Sequence, residues 1–467
     1  MLRGSEVSDF DAAGCLTRRS VGEVHLALVA VYAVFVVWLH ARSEFLSTTF
    51  GSFSDWSDYR EVAHASVWSA GFWTGVKPAG YPLLVKALGE GAALHWAAVL
   101  ISVVAWSSLA LVAVLVVRSR ALGVAAMVLV FLLSLGERIQ VWNDLAGSES
   151  ISISLLVLAI AAGLVLVAVR LVSPLATRQL HGAAWAVLAI ALVSWSFTRD
   201  SNTYVLLMTS VVVVAVAAWR RRVTLAIAGV VGLVVCGVGL VTSDAGGRWI
   251  VPYDNVVFNR VLPDRDLAAA WRDAGMPDTP ALRAHIREIA YHGDPALFTD
   301  PRLAAFRRWV VDHGRATYIR ELVTRPSFGV GGPVGDLDDL LTSPVEVWGR
   351  IGGHSYAGSP LDPIVDSVFV PDAVPLAIWS LFVAAAAVFL VVTTRRSPSR
   401  GAVLLLVGVL VLAVPHLWLV WVGDAHNVAR HSVTASVQFR LAGWLVLVLA
   451  ADELLAGRRR NGATVDC

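Results

Sequence analysis

The chain alternates between long apolar runs and short polar connections over most of its length. Ten of these runs consist mainly of Ala, Val, Leu and Ile. A helix rises about 1.5 Å per residue, so about 20 apolar residues cross a bilayer core that is about 30 Å thick. We therefore predict ten membrane-spanning helices, several of them short, at residues 24–39, 95–117, 121–135, 151–169, 182–195, 204–219, 223–241, 373–392, 402–422 and 433–450.

The composition supports the same class of protein. Of 467 residues, 57% are hydrophobic and only 15% are charged, whereas soluble proteins contain about 25% charged residues. The net charge of +2 gives no reason to expect a nucleic-acid partner. Cys15, Cys236 and Cys467 are too far apart to indicate a disulfide framework or a metal-ligand motif. The chain is predicted to be an all-α integral membrane protein.

Basic residues predict how the spans are oriented. Arginine occurs in every second connection, and basic residues close to a span are retained on the cytoplasmic side. This alternation predicts a multi-pass protein of the cell membrane with both termini in the cytoplasm. The arginines concerned are Arg18, Arg19, Arg118, Arg120, Arg170, Arg178, Arg220, Arg221, Arg222, Arg395, Arg396, Arg400, Arg458, Arg459 and Arg460.

The spans divide the chain into three parts. Residues 1–242 form an N-terminal membrane domain whose first outer loop covers residues 42–90. Residues 243–372, between spans seven and eight, contain amphipathic stretches of helical spacing and are predicted to form a mostly helical external domain. Within it, residues 280–290 are predicted to be helical, and residues 329–360, rich in Gly, Pro and Ser, to be an extended loop. Residues 373–467 contain the last three spans and a cytoplasmic tail.

Apart from the arginines that predict the orientation, nearly all the polar chemistry outside the external domain falls in connections predicted to face outward. The first of these reads GSFSDWSDYREVAHASVWSAGFWTGVKPAGYPLL (51–84), and the others read ERIQVWNDLAGSES (137–150), FTRDSNTY (197–204) and GDAHNVARHSV (423–433). The opposite connections are short and mostly arginine, and they contain no Gly-rich phosphate loop, which argues against an ATP-driven machine. Chemistry at the outer membrane boundary is therefore predicted.

The first outer loop resembles a motif of a known enzyme family. An N-terminal span is followed by Asp-x-x-x-Tyr and then by Pro-x-Gly-Tyr-Pro, which here are Asp55, Tyr59 and residues 78–82. This pattern resembles that of the C-type polytopic membrane glycosyltransferases, which take a sugar from a polyprenyl-phosphate carrier. The chain differs in having KPAGYP where many members have Arg-Pro-Pro-Gly-Tyr-Pro, and in a second acid at Asp58.

The resemblance implies both a reaction and a set of site residues. A sugar would pass from a polyprenyl-phosphate carrier to a glycan, lipid or protein acceptor outside the cytoplasm, by an expected inverting mechanism, with membrane lipids as further partners. Such transfer needs a carboxylate that takes the acceptor proton and cations that hold the phosphate. The predicted catalytic residues are Asp55, Asp58 and Glu149, and the predicted substrate-binding residues are Tyr59, Lys77, Tyr81, Arg199, Arg430, His431 and Arg440.

Other interpretations of these residues stay open at this point. Asp58 and Glu149 have the positions of helix N-terminal residues, and Arg199 and Arg430 lie at span ends, where arginine commonly reaches the headgroups. Arg440 lies about 10 Å inside the last predicted span and is expected to need a carboxylate or phosphate partner. No cofactor is evident, although Asp55 with another acid could hold a divalent metal ion. The alternative function is a multi-span transporter or a lipid-binding envelope protein without catalysis.

Overall fold

The computed structural model describes residues 22–41, 54–169, 173–291, 295–342, 362–397 and 399–462. These residues form α-helices with short 3-10 and π segments, and no strand occurs among them. The prediction of an all-α membrane protein is confirmed. The N-terminal half contains α1 (Glu23–Ala41), α2 (Ser54–His64), α3 (Ala70–Trp73), α4 (Gly80–Leu88), α5 (Ala92–Val116), α6 (Arg120–Ser134), α7 (Glu137–Gln140), α8 (Glu149–Ala168), α9 (Pro174–Ser196), α10 (Asp200–Arg220) and α11 (Val223–Ala245).

The domain between the seventh and eighth spans, called the helical domain here, consists of short helices around an aromatic core. Tyr253, Trp271, Phe306 and Trp309 are buried together in it. α11 continues into the first three residues of the predicted range 243–372. The helices are α12 (Ile250–Val256), α13 (Arg265–Asp273), α14 (Pro280–Arg283), α15 (Pro295–Thr299), α16 (Ala304–Trp309), α17 (Arg315–Thr324), α18 (Gly332–Gly335), α19 (Leu337–Leu341) and α20 (Asp362–Phe369).

Two local predictions in this domain are wrong. Of the stretch 280–290, only the beginning is α-helical, in α14, because Arg287 adopts a left-handed conformation with φ 66° and donates its backbone N–H to Phe258 O over 3.0 Å. Residues 332–341 form α18 and α19 rather than an extended loop, since Pro333 lies in a first helical turn and Leu340 is buried. Residues 343–360 of the predicted loop lie outside the described residues.

The last three membrane helices are α21 (Ala373–Thr393), α22 (Arg400–Gly423) and α23 (Val428–Gly462). Over the described residues, nine helices are long and apolar enough to cross a membrane, and α6 with the bent segment after it makes a tenth candidate. The bend between Ser134 and Glu137 measures 61°. The architecture of about ten spans is therefore confirmed. α23 is the most enclosed of the candidate spans, because 83% of the residues in its most apolar stretch are buried.

The connections gather at two ends of the bundle as the arginine pattern predicts. At one end, the Arg118 guanidinium donates to Glu453 Oε2 over 2.5 Å and to Ser397 Oγ over 2.8 Å, which joins the α5–α6 turn, the α21–α22 turn and the end of α23. Residues Asp55, Glu149, Arg199 and Arg430 meet at the opposite end. Which end faces the cytoplasm stays a prediction.

Hydrogen bonds attach the helical domain to the C-terminal end of α22. Tyr318 donates its hydroxyl to Val422 O over 2.8 Å, Trp418 donates to Gly329 O over 2.7 Å, and Trp421 donates to Asp336 Oδ2 over 2.6 Å. These bonds hold the α22–α23 connection, and with it the start of α23, beside the polar cluster at that end of the bundle.

Candidate active site

Four of the predicted residues form one continuous ion network. The Lys77 ammonium donates to Asp55 Oδ1 over 2.7 Å, and Arg430 donates to Asp55 Oδ2 over 2.5 Å. The Nε of Arg430 donates to Glu149 Oε1 over 2.7 Å. Charge-assisted bonds of this kind are about twice as strong as those between neutral groups. The first outer loop, the start of α8 and the start of α23 are thus joined by side chains from distant parts of the sequence.

Helix ends explain where these charges lie. Asp55 is in the first turn of α2 and Glu149 is the first residue of α8, positions where the helix dipole favours a negative charge. Arg430 is in the first turn of α23, where the same dipole disfavours a cation. Its two carboxylate partners compensate for that position.

The network has an accessible part and an enclosed part. The side chains of Asp55, Asp58 and Lys77 are 17 to 20% exposed, whereas Glu149 is 1% exposed and Arg430 is 7% exposed. Asp58 is the second acid at Lys77, with 3.4 Å between Asp58 Oδ2 and Lys77 Nζ. A substrate arriving at this end would therefore meet Lys77 and the two aspartates first, over the enclosed Glu149–Arg430 pair.

Arg199 and His431 border the network. Arg199 NH1 lies 3.9 Å from Glu149 Oε1, and Arg199 NH2 donates to His431 Nδ1. An arginine is only a donor, so this bond places the histidine proton on Nε2. That nitrogen lies 3.6 Å from Asp424 Oδ2 in the α22–α23 connection. Arg199 and His431 therefore lie beside the network.

Two tyrosines form the wall behind Lys77. The ring of Tyr59 packs edge-on against Tyr81 with centroids 4.8 Å apart, and its hydroxyl donates to Ser148 Oγ over 3.1 Å. The Lys77 ammonium lies 5.7 Å from the centre of the Tyr59 ring, within cation–π range. Burial raises the pKa of both tyrosines above the ordinary value. Both are buried, so they shape the site and support Lys77 from behind.

The pKa values of Asp55 and Lys77 are set by the contacts of these side chains. Burial disfavours the charged form of Asp55, but the charges and hydrogen bonds of Lys77 and Arg430 outweigh it and hold the pKa well below its usual range. Burial likewise opposes the charge of Lys77, but Asp55 and Asp58 raise its pKa above the ordinary value. Both groups are ionised at neutral pH. Asp55 is a weak base as long as it retains both cations.

The glycine of the Pro-x-Gly-Tyr-Pro motif has a packing reason. The backbone N–H of Gly80 donates to Phe197 O over 2.8 Å, and a Cβ at this position would lie 2.6 Å from the same oxygen. Only glycine permits this approach. The loop carrying Lys77 is thereby attached to the α9–α10 corner that carries Arg199.

A second attachment of this loop was not predicted from the sequence. The Arg248 guanidinium donates to both oxygens of Asp200 at 3.1 Å each, and also to the carbonyls of Trp73 and Gly75. Arg248 is 5% exposed. It lies just beyond α11, so nothing in the local pattern distinguishes it from an interfacial arginine. The sequence signal that could have indicated this contact is Asp200, next to Arg199, because its carboxylate needs a cationic partner.

Arg440 lies away from the network, and the expectation that it needs an acidic partner is wrong. Its guanidinium donates to backbone carbonyls of Leu341, over 2.7 Å, Val370, over 3.2 Å, and Phe369, and to Ser436 Oγ over 2.5 Å. These carbonyls lie at the C-terminal ends of α19 and α20, where no backbone N–H of the helix follows to bond them. Arg440 therefore caps two helix C-termini, which satisfies its charge without a carboxylate or phosphate.

A separate polar group lies near the ion network. His40 at the end of α1, His95 at the start of α5 and Asp144 before α8 are all buried, and one ligand atom from each lies within 4.8 Å of the other two. The donor set of two imidazoles and a carboxylate could hold a metal ion. Asp144 belongs to the outward connection at residues 137–150, whereas neither histidine was among the predicted site residues. Their positions at the ends of two successive spans were the available signal.

Comparison with known protein families, with characterised protein sequences and with solved structures found no match for this chain.

Proposed function

We propose that the protein is a membrane glycosyltransferase that moves a sugar from a polyprenyl-phosphate carrier to a glycan, lipid or protein acceptor at the outer membrane face. The observation that carries the proposal is the Asp55–Lys77–Arg430–Glu149 network, built from three connections at one end of the membrane helices. The resemblance of the first outer loop to C-type glycosyltransferases supports the same reaction.

The proposed binding step is an exchange of anions at Lys77 and Arg430. Both cations bind a carboxylate in this structure, and a carrier phosphate offers them the same kind of acceptor. Lys77 is 18% exposed and adjoins the accessible side of the cluster. As the phosphate takes up these cations, Asp55 loses the interactions that lower its pKa and becomes a stronger base.

The proposed chemical step is a single displacement. The acceptor oxygen attacks the anomeric carbon of the sugar, and the bond between that carbon and the phosphate oxygen breaks with its electron pair going to the phosphate. The acceptor hydroxyl proton passes to Asp55 or, as the second candidate, to Asp58. Attack from the face opposite the phosphate inverts the configuration at the anomeric carbon. Glu149, enclosed behind them, orients Arg430.

A metal ion at Asp55 fits this cluster poorly. Both oxygens of Asp55 already accept a hydrogen bond from a cation, and Glu149 Oε1 bonds Arg430. A divalent ion there would have to displace Lys77 or Arg430, the groups proposed to hold the phosphate. The proposed steps are therefore assigned to the side chains alone.

A transporter is the second candidate, and the location of the charges favours the enzyme. A carrier places ionisable groups along a path through the membrane. In the described residues, the ion pairs of the membrane part gather near its two ends, and the deep cation Arg440 is fully bonded to helix ends. A non-catalytic lipid-binding protein would use the same phosphate contacts without releasing the carrier.

The decisive measurement is release of the carrier. Purified protein is incubated with short-chain polyprenyl-phosphate sugars of several kinds and with envelope extract from a deletion strain as acceptor. Mass spectrometry then follows the free polyprenyl phosphate and the glycosylated product. Arg430→Ala should weaken donor binding and Glu149→Gln should lower turnover. Glu90→Gln, an exposed acid of the same loop paired with Arg60, should do neither. Binding without carrier release would support the lipid-binding alternative, and no binding of any donor would contradict the proposal.

A further inference from the structure

We infer that His40, His95 and Asp144 form a binding site for a divalent transition-metal ion of the zinc class. The inference does not rest on the proposed glycosyl transfer. It concerns a different set of side chains from the Asp55 network, at the junction of α1, α5 and the segment before α8.

Hydrogen bonds fix the tautomer of His40. The amide nitrogen of Gln140 donates to Ser134 O over 2.5 Å, so its oxygen Oε1 is the atom that lies 2.7 Å from His40 Nε2. The amide of Asn143 donates to the same oxygen over 2.9 Å. An oxygen at this distance favours a proton on Nε2, although the Asn143 amide nitrogen also lies 3.5 Å from that atom. In a neutral imidazole the lone pair is therefore on Nδ1.

That lone pair is directed at another electron-rich atom. His40 Nδ1 lies 2.8 Å from Asp144 Oδ1, and His95 Nδ1 lies 3.6 Å from the same oxygen. Two lone pairs at 2.8 Å repel each other unless the two atoms share a proton or a metal ion. A metal ion satisfies this condition, and metal-bound histidines usually donate their second ring nitrogen to an oxygen, as His40 does to Gln140. The competing explanation is a second proton on His40.

The donor set and spacing suit zinc. Zinc binds imidazole nitrogen at about 2.0–2.1 Å and carboxylate oxygen at about 2.0–2.2 Å, and three protein ligands of this type are common. Ligand atoms all within 4.8 Å of one another come within that reach after small side-chain movements. Burial of all three residues would slow exchange of the ion.

The site is connected to the segment that carries Glu149. Asn143, which adjoins Asp144, accepts a bond from Ser150 Oγ over 2.5 Å. Ser150 follows Glu149 at the start of α8. A metal ion at Asp144 would therefore hold the start of α8 against α1 and α5. Its role would be to position this corner, since none of its ligands belongs to the Asp55 network.

The test uses the full chain, purified through an affinity tag without histidine. After incubation with zinc and desalting, elemental analysis should find about one metal ion per chain. A chelator should lower the melting temperature, and added zinc should restore it. His95→Gln should abolish both effects. His416→Gln should abolish neither, because His416 is a buried histidine bonded to Gln438, over 2.9 Å, on other helices. Asp55→Asn should also retain the metal, which separates this site from the proposed reaction.

A second variant covers the case in which His95→Gln does not fold. His95→Cys retains a metal ligand, and Co²⁺ bound to it should show a thiolate charge-transfer band that His416→Cys lacks. Wild-type protein without bound zinc and without Co²⁺ absorption would overturn the inference and leave a protonated His40 paired with Asp144. Metal lost with Asp55→Asn but retained in His95→Gln would also overturn it.

Discussion

Asp55 is held between two cations, and this arrangement decides what it can do. Lys77 and Arg430 each bond one of its oxygens, so the carboxylate is charged, oriented and weakly basic as long as it retains both partners. Asp58 contacts only Lys77 among the cations of the network, at the longer distance of 3.4 Å. The two acids of the first loop are therefore unequal.

We predict that Asp55→Asn abolishes sugar transfer, with a rate loss on the order of a hundredfold or more for removal of a general base. Asp58→Asn should cost less, because Asp58 has no bond to Arg430. Initial rates with a fixed polyprenyl-phosphate sugar measure both. The reverse ranking would assign the proton transfer to Asp58, and full activity in both variants would exclude this loop from catalysis.

Gly147 offers a way to move Glu149 without replacing it. A Cβ at Gly147 would lie 2.5 Å from Glu149 Oε2. Gly147→Ala should therefore shift this carboxylate away from Arg430 and lower turnover about tenfold or more, since small misplacements in an active site are costly.

The matched control for Gly147→Ala is Gly182→Ala in α9, where an added Cβ has no neighbour within 4 Å. That variant should retain wild-type turnover. Equal activity of the two variants would show that the position of Glu149 is not important for the reaction.

Asp254 in the helical domain predicts how stability depends on pH. Burial raises the pKa of its carboxyl to about 8, although the charge of Arg307 opposes this. The folded protein then binds a proton that the unfolded chain releases near pH 4, so stability falls as pH rises from about 4 to about 8, by about 1.4 kcal/mol per pH unit at most.

Asp424 has its pKa raised to about 7 by burial, which hydrogen bonds partly offset, and it adds a smaller effect of the same sign. Melting temperatures between pH 5 and pH 8.5 measure the slope. Asp254→Asn should flatten it, and Asp312→Asn, at an exposed position, should retain it. A slope unchanged by Asp254→Asn would contradict the assignment.

At the level of elements, α23 and the ends of α19 and α20 depend on one side chain. Arg440 is fully buried and supplies donors to three backbone carbonyls. Val370, one of these acceptors, has a left-handed φ of 52°, which is unfavourable for a β-branched residue. The bond from Arg440 helps to hold that conformation.

Arg440→Lys should lower the melting temperature and leave donor affinity unchanged. Lysine cannot reproduce the planar set of donors, and buried carbonyls without partners cost about 3 kcal/mol or more in total. A thermal melt and donor titration of the same preparation measure the two effects. Arg283→Lys, an exposed arginine paired with Asp278, should change neither. Weakened donor binding at an unchanged melting temperature would instead make Arg440 a phosphate ligand.

These elements show why the sequence predicted some of the site and not the rest. Apolar runs predicted the spans because burial in lipid is a local property of composition. Asp55 and Lys77 could be grouped because one loop motif contains both. The acceptors of Arg440 lie at residues 341, 369 and 370, and their carbonyls leave no trace in side-chain sequence. His40, His95 and Asp144 meet only after three separate segments have packed.

For the whole molecule, the two polar ends should lie on opposite sides of the membrane. We replace Cys15 and Cys467 by serine, retain the buried Cys236, and introduce one further cysteine at a time at the exposed positions Asp312 and Arg178. A membrane-impermeant thiol reagent should label Asp312→Cys in intact cells, and Arg178→Cys only after permeabilisation, because arginine-rich connections stay in the cytoplasm. Labelling of Asp312→Cys only after permeabilisation would rule out chemistry on the outer face.

The enclosed position of α23 has a consequence for biogenesis. This helix packs against α6, α8, α21 and α22, yet the ribosome makes it after all of them. Until it is inserted, Asp55 and Glu149 lack Arg430, and the helices that will surround α23 have only lipid or one another to contact. Before α23 is inserted, the earlier helices of the nascent chain should therefore be only loosely associated. In that state they are accessible to membrane proteases and insertion chaperones. Mutations in the apolar part of α23 should therefore reduce the amount of protein in the membrane.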